Sequence, residues 1–162
     1  MKIVTLLLLL VSISQNAESK EQQTSPYGAS FGEKFNTTKH EIIRRRGNVR
    51  SVKLKTADRP DDTEELRAEI CDEYGLQVIT WRSHTRSSSA ATLRHAEITK
   101  NFIEKYGKPQ LKRGSSFWHS KEFNVVVKVR SEGNVFQNQI RYFGNKNEPC
   151  FERLMIHLQT PK

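Results

Sequence analysis

The sequence predicts an α+β domain: a mainly antiparallel sheet with two or three helices on one face, in the order β-α-β-α-β-β-β-α. Three observations carry this expectation. Apolar residues alternate with polar ones around Phe123, Val125, Val127 and Val129, the period of a half-buried strand. Ile98, Phe102 and Tyr106 recur every four residues, the period of a helix face. Short turn signals such as "SEGN" at 131–134 join the late strands directly, which suits antiparallel pairing.

The segments follow in chain order. Met1-Lys2 is a short positive start, Ile3 to Ile13 ("IVTLLLLLVSI") is apolar, and "NAES" offers small residues for a cut after Ser19. Residues 1–19 therefore read as a signal peptide, too short for a membrane span, and the mature protein as soluble and secreted or periplasmic. No other stretch approaches the roughly 18 apolar residues of a transmembrane helix, so stable membrane insertion is not expected. Residues 20–47, polar and basic with few aliphatics, read as a flexible leader. The leader carries the sequon Asn36-Thr37-Thr38, which matters only in a eukaryotic secretory route. It ends in Arg44-Arg45-Arg46, which suits a processing protease, an electrostatic arm or a plain basic flank.

Residues 48–160 supply enough chain for one globular domain. Val49 to Lys55 reads as a strand with Val52 and Leu54 inward, and "DRPDD" is turn chemistry. Asp62 with Glu65 three residues on resembles a capping box; Leu66, Ile70 and Tyr74 would line that helix, and Gly75 would stop it. Leu76 to Trp81 is β-branched and aromatic, hence a strand. The helix from Ala90 to Tyr106 ends at Gly107 and Pro109. Strands are expected at Ser116–His119, around Phe123–Arg130, and along Phe136, Ile140 and Tyr142. The last segment, with Phe151, Leu154, Met155 and Leu158 at helical spacing after Asn147, favours a helix. A strand on Leu154, Ile156 and Leu158 competes.

Cys71 and Cys150 are the only cysteines, and in an oxidising compartment an even pair reads as one disulfide. The bridge would contribute roughly 4–5 kcal/mol on the chain-entropy account. Net charge is +9, and it stays +9 once Lys2 and Glu18 leave with the signal peptide. Asp58, Asp61, Asp62, Glu64, Glu65, Glu69, Asp72 and Glu73 face only Arg59 and Arg67 within one short stretch, so the rest of the chain is strongly cationic. Such an excess favours anionic partners.

The candidate site is "RSHTRSSS", residues 82–89. Arg82, His84 and Arg86 lie between a strand and a helix start, where unpaired N–H groups and the dipole favour an anion, and Ser87, Ser88 or Ser89 can cap the helix. The basic stretch at Arg44, Arg45 and Arg46 would extend it. The structural alternative is a solvated loop with an ordinary serine cap. A ribonuclease-like reading would use His84 and His119 as the proton-transferring pair, with Arg86 stabilising charge. No P-loop, dinucleotide fingerprint, HExxH, Cys/His array or GxSxG elbow occurs, so neither cofactor nor metal is expected.

"NFIEKYGKPQ", then "FWHSKEFNVVVKV" and "IRYF", covers Asn101 to Phe143 and resembles small bacterial periplasmic domains. In those a helix ending Tyr-Gly-x-Pro leads into a tryptophan-bearing antiparallel meander. The resemblance implies an exported α+β fold and carries no catalytic residues. The sequence thus reads as an exported binding or interaction protein for an anionic partner: an acidic protein, polysaccharide, membrane surface or nucleic acid. A secreted ribonuclease-like toxin is the alternative.

Overall fold

The computed structural model describes residues 26–34, 36 and 40–152. The expected signal peptide lies outside the described residues, as do Leu154, Met155 and Leu158 of the expected last helix.

One antiparallel sheet of eight strands dominates. β1 is Glu41–Arg46, β2 Val49–Lys53, β3 Thr63–Cys71, β4 Gly75–Ser83, β5 Gln110–Lys112, β6 Ser115–His119, β7 Phe123–Glu132 and β8 Val135–Gly144. Their spatial order is β1-β2-β3-β4-β8-β7-β6-β5. A single long helix, α1 (Ser88–Tyr106), connects β4 to β5 and packs across β7 and β8. Residues 147–152 are also helical. The expected α+β domain with two or three helices on one face is therefore corrected to a mostly β architecture.

The decisive difference is β3, where a helix was expected over Asp62–Tyr74. Leu66 and Ile70 are four apart, which satisfies a helix face and a strand face equally. Ala68 between them is also fully buried, while Glu65, Arg67 and Glu69 are only partly so; the true period is two. Gly75 is not a helix stop. It opens β4 after the 72–74 turn at φ 68°, and an added Cβ there would run into the Glu33 carbonyl.

That contact shows a second difference. Part of the stretch expected to be a flexible leader is built into the fold. Gly32 N–H donates to the Leu76 carbonyl at 2.9 Å and Leu76 N–H to that of Glu33 at 3.1 Å. Phe31 stacks near Phe123 with ring centroids 5.6 Å apart, Tyr27 meets Tyr142 edge-on, and Ala29 is buried. Few aliphatics suffice here, because three aromatic and small side chains close one end of an existing core. β1 then adds the first strand, turning into β2 through Gly47–Asn48 with Gly47 at φ 53°.

The core lies between the sheet and α1. Facing residues in register form rows: Val52–Ala68–Ile79–Tyr142–Val125–Trp118 is one, and Leu66–Trp81–Ile140–Val127–Ser116 the next. Ile98 and Phe102 of α1 press on them, with Phe102 5.1 Å from Trp118. Buried Asn138 ties the helix start to the sheet. Its side chain donates to the Ala91 carbonyl and its backbone N–H to Ser83 Oγ. Cys71 and Cys150 are bonded, their Cα atoms 6.1 Å apart, which holds residues 147–152 against Val49 on the opposite side of the sheet.

Candidate anion-binding face

The loop after β4 takes the position the sequence predicts, between a strand end and a helix start. Ser87 is the N-cap, its Oγ accepting from Ala90 N–H, while Ser88 and Ser89 fall in the first turn. Its arginines, however, already have carboxylate partners. Arg86 Nη2 lies 2.6 Å from Asp62, and Arg94 of α1 grips the same carboxylate through Nε and Nη2, each at 3.0 Å. Arg82 pairs with Glu65 at 2.9 Å. His84 is tied through its backbone N–H to the Asp62 carbonyl. Asp62 therefore sits where an external anion was expected. It does so because β3 runs antiparallel to β4, which sets the carboxylates of 62–65 opposite the cations of 82–86.

The other expected residues are dispersed. Arg44, Arg45 and Arg46 lie on the exposed edge strand β1, and Arg45 reaches Asp72 at 3.4 Å, as Arg50 does at 2.9 Å. His119 pairs with Asn124 at 2.8 Å on β6. Its row runs through Asn124 and Phe143 to Val78, three strands away, and His84 lies six residues beyond Val78. Strand geometry puts the two histidines roughly 20–25 Å apart, too far to serve one phosphate together. Among the described residues no group of three or more His, Cys, Asp or Glu could hold a metal. No helix among them is long and apolar enough to cross a membrane.

What the register does assemble is a cationic row on the sheet face opposite α1. Lys53, Arg67, Thr80, Arg141, Val126 and Phe117 stand side by side, one residue along from the apolar core row. The neighbouring row is Glu65–Arg82–Gln139–Lys128–Ser115, and Arg130 opposite Gln137 extends it. Arg67, Arg82, Lys128, Arg130 and Arg141 thus share the middle of this face with Glu65 and Glu69, and Glu64 lies at its border, hydrogen-bonded to Gln137. Arg67 contacts Glu65 and Glu69, at 3.4 and 3.7 Å.

Thr80, Val78 and Gln139 on this face are almost wholly buried. Arg67 and Arg141 flank Thr80 in register, and the Nε atom of each is buried. Among the described residues Arg141 has no carboxylate within ion-pair distance; its guanidinium sits 4.7 Å above the Phe143 ring. Burial lowers its pKa first of all, and Arg67, Arg82 and Arg130 push the same way against Glu69. Arg82 is lowered by burial too, with Glu65 opposing and Arg67 and Arg130 reinforcing. A guanidinium does not deprotonate, so this unfavourable field remains for an anion to relieve. The Thr80 hydroxyl is buried without a hydrogen-bond partner among the described residues. Beside the row, Glu64, Arg82, Thr85, Arg130 and Gln137 line a polar cavity of about 220 Å³.

The sequence reading missed Arg67, Thr80, Arg130 and Arg141. Arg130 and Arg141 are visible as outward residues of alternating strands, but that they meet is a property of register, which spacing does not encode. No family model matches the chain, and searches of curated proteins and of solved structures found no match either.

Proposed function

We propose that this protein is an exported binding module for an anionic partner, engaged through the sheet face opposite α1. The observation that supports this reading is Arg141: a half-buried guanidinium without a carboxylate partner among the described residues, set among Arg67, Arg82 and Arg130. An oxyanion of a polysaccharide, nucleic acid, acidic protein or anionic membrane surface would accept forked hydrogen bonds from such a group. Arg82 keeps a role, as a member of the face rather than of the loop. Arg44, in register with Ser51, lies on the same face at its edge.

The experiment is a calorimetric titration with sulfated polysaccharide, RNA and anionic vesicles at two salt concentrations. Binding should weaken as salt rises. Arg141→Gln should loosen the best ligand about ten-fold, the scale of one lost charge-assisted hydrogen bond, whereas Arg86→Gln should change it little. The reverse pattern would return the site to the 82–89 loop and overturn the face. A ribonuclease reading is kept only if labelled RNA is cleaved and a His84→Ala variant does not cleave it.

A further inference from the structure

We propose that the Arg46–Gly47 bond is a processing site, cut by an endoprotease that reads consecutive basic residues, and that the cut protein stays assembled.

Arg44, Arg45 and Arg46 are consecutive, already extended, and lie on a strand whose six residues are all exposed. β1 is the edge of the sheet, so among the described residues β2 alone pairs with its backbone, and its outer N–H and C=O groups face away from the sheet, where a protease cleft can pair with them. Its ladder is already interrupted by a bulge between Ile42 and Arg44. Among the described residues the triplet makes one ion pair, Arg45 with Asp72 at 3.4 Å, which is solvent-exposed and holds weakly. Peeling β1 away therefore sacrifices little buried apolar area, the property of segments that open locally. Gly47, in the turn, presents no side chain on the far side of the scissile bond. Hydrolysis consumes one water across the C–N bond and leaves the Arg46 carboxylate and the Gly47 ammonium.

Other basic sites are poorer substrates. Arg67, Arg82, Arg130 and Arg141 lie in strands paired on both sides, and Lys100 and Lys105 lie inside α1. Arg59 is followed by Pro60. The nearest rival is Lys112-Arg113-Gly114 at the opposite edge, with two basic residues instead of three.

The cut does not free the N-terminal piece. Its residues 31–33 remain hydrogen-bonded to Leu76 and packed on Phe123, while Cys71–Cys150 lies wholly in the C-terminal piece. The product is two chains without a covalent link, with the β2 edge uncovered once β1 swings away.

The test exposes the full chain to a limiting amount of an endoprotease specific for paired basic residues, with trypsin in parallel, and follows intact masses over time. The first cut should follow Arg46, and Arg46→Gln, an exposed change checked by circular dichroism, should slow it at least ten-fold. The two pieces should co-elute on size exclusion and separate in denaturant. A first cut after Arg113, a rate insensitive to Arg46→Gln, or pieces that separate without denaturant would each overturn the proposal.

Discussion

On the side toward α1, the row Val52–Ala68–Ile79–Tyr142–Val125–Trp118 is buried beneath a helix; one residue along the same strands, Lys53–Arg67–Thr80–Arg141–Val126–Phe117 turns to the other side of the sheet. The first arrangement removes apolar surface from water, is non-directional and is indifferent to salt. The second lays aliphatic stems over the sheet and leaves their charged heads to be matched individually. Glu65 and Glu69 match some of them, and among the described residues Arg141 has no carboxylate in ion-pair range. The face opposite α1 is therefore the one with charge to offer a partner.

The sharpest way to break this contrast is a pair of adjacent substitutions in β4. Trp81 is fully buried and its Nε1–H donates to Thr63 Oγ1 at 2.7 Å. Trp81→Ala should cost about 3–5 kcal/mol, a large share of a domain's stability. Arg82→Ala, one residue on and pointing the other way, should cost about 1 kcal/mol, because its ion pair is partly exposed and screened. Urea denaturation reads both. Comparable losses would mean that the two faces carry equal structural weight.

Asp62 tests the contrast at the sheet's end, where carboxylates do suffice. Asp62→Asn weakens the hold on Arg86 and Arg94 together and should cost about 1–2 kcal/mol, less than a fully buried pair would. It should also convert the 82–89 loop into something closer to the anion site the sequence suggests. Sulfated polysaccharide should bind the variant more tightly than the parent protein, with Arg86→Gln abolishing the gain. Affinity that stays flat would show that Asp62 does not compete with external anions.

This carboxylate also explains how far the sequence could be read. β6, β7 and β8, the helix itself with a serine cap, and the cysteine pair were legible, because each rests on local periodicity, capping or composition. β3 was not. Leu66 and Ile70 fit both periods, Ala68 is too small to announce itself, and the acidic residues imitate a helix start. Reading β3 as a helix placed Asp62 and Glu65 on a separate element, which left Arg82 and Arg86 looking free. One misread period thus produced the wrong architecture and hid the carboxylate partners of Arg82 and Arg86. β5 escaped notice for another reason: it has three residues, all exposed, and no inward face to show a pattern. Residues 26–34 escaped because their order depends on a pocket made by distant chain, at Leu76, Phe123 and Gly144.

The smallest expected effect separates structure from function most cleanly. Thr80 is wholly buried between Arg67 and Arg141, and its hydroxyl has no hydrogen-bond partner among the described residues. A buried hydroxyl left unpaired costs on the order of 1–3 kcal/mol, so Thr80→Val, which keeps the shape and the strand preference, should leave stability unchanged or raise it by up to about 1 kcal/mol. If the hydroxyl serves a bound oxyanion, the same variant should bind sulfated polysaccharide a few-fold more weakly while melting no lower. Thermal denaturation beside calorimetry distinguishes the cases. A lower melting temperature would make Thr80 part of the scaffold. Unchanged affinity would mean that anions held by Arg141 do not reach down to the strand beneath it.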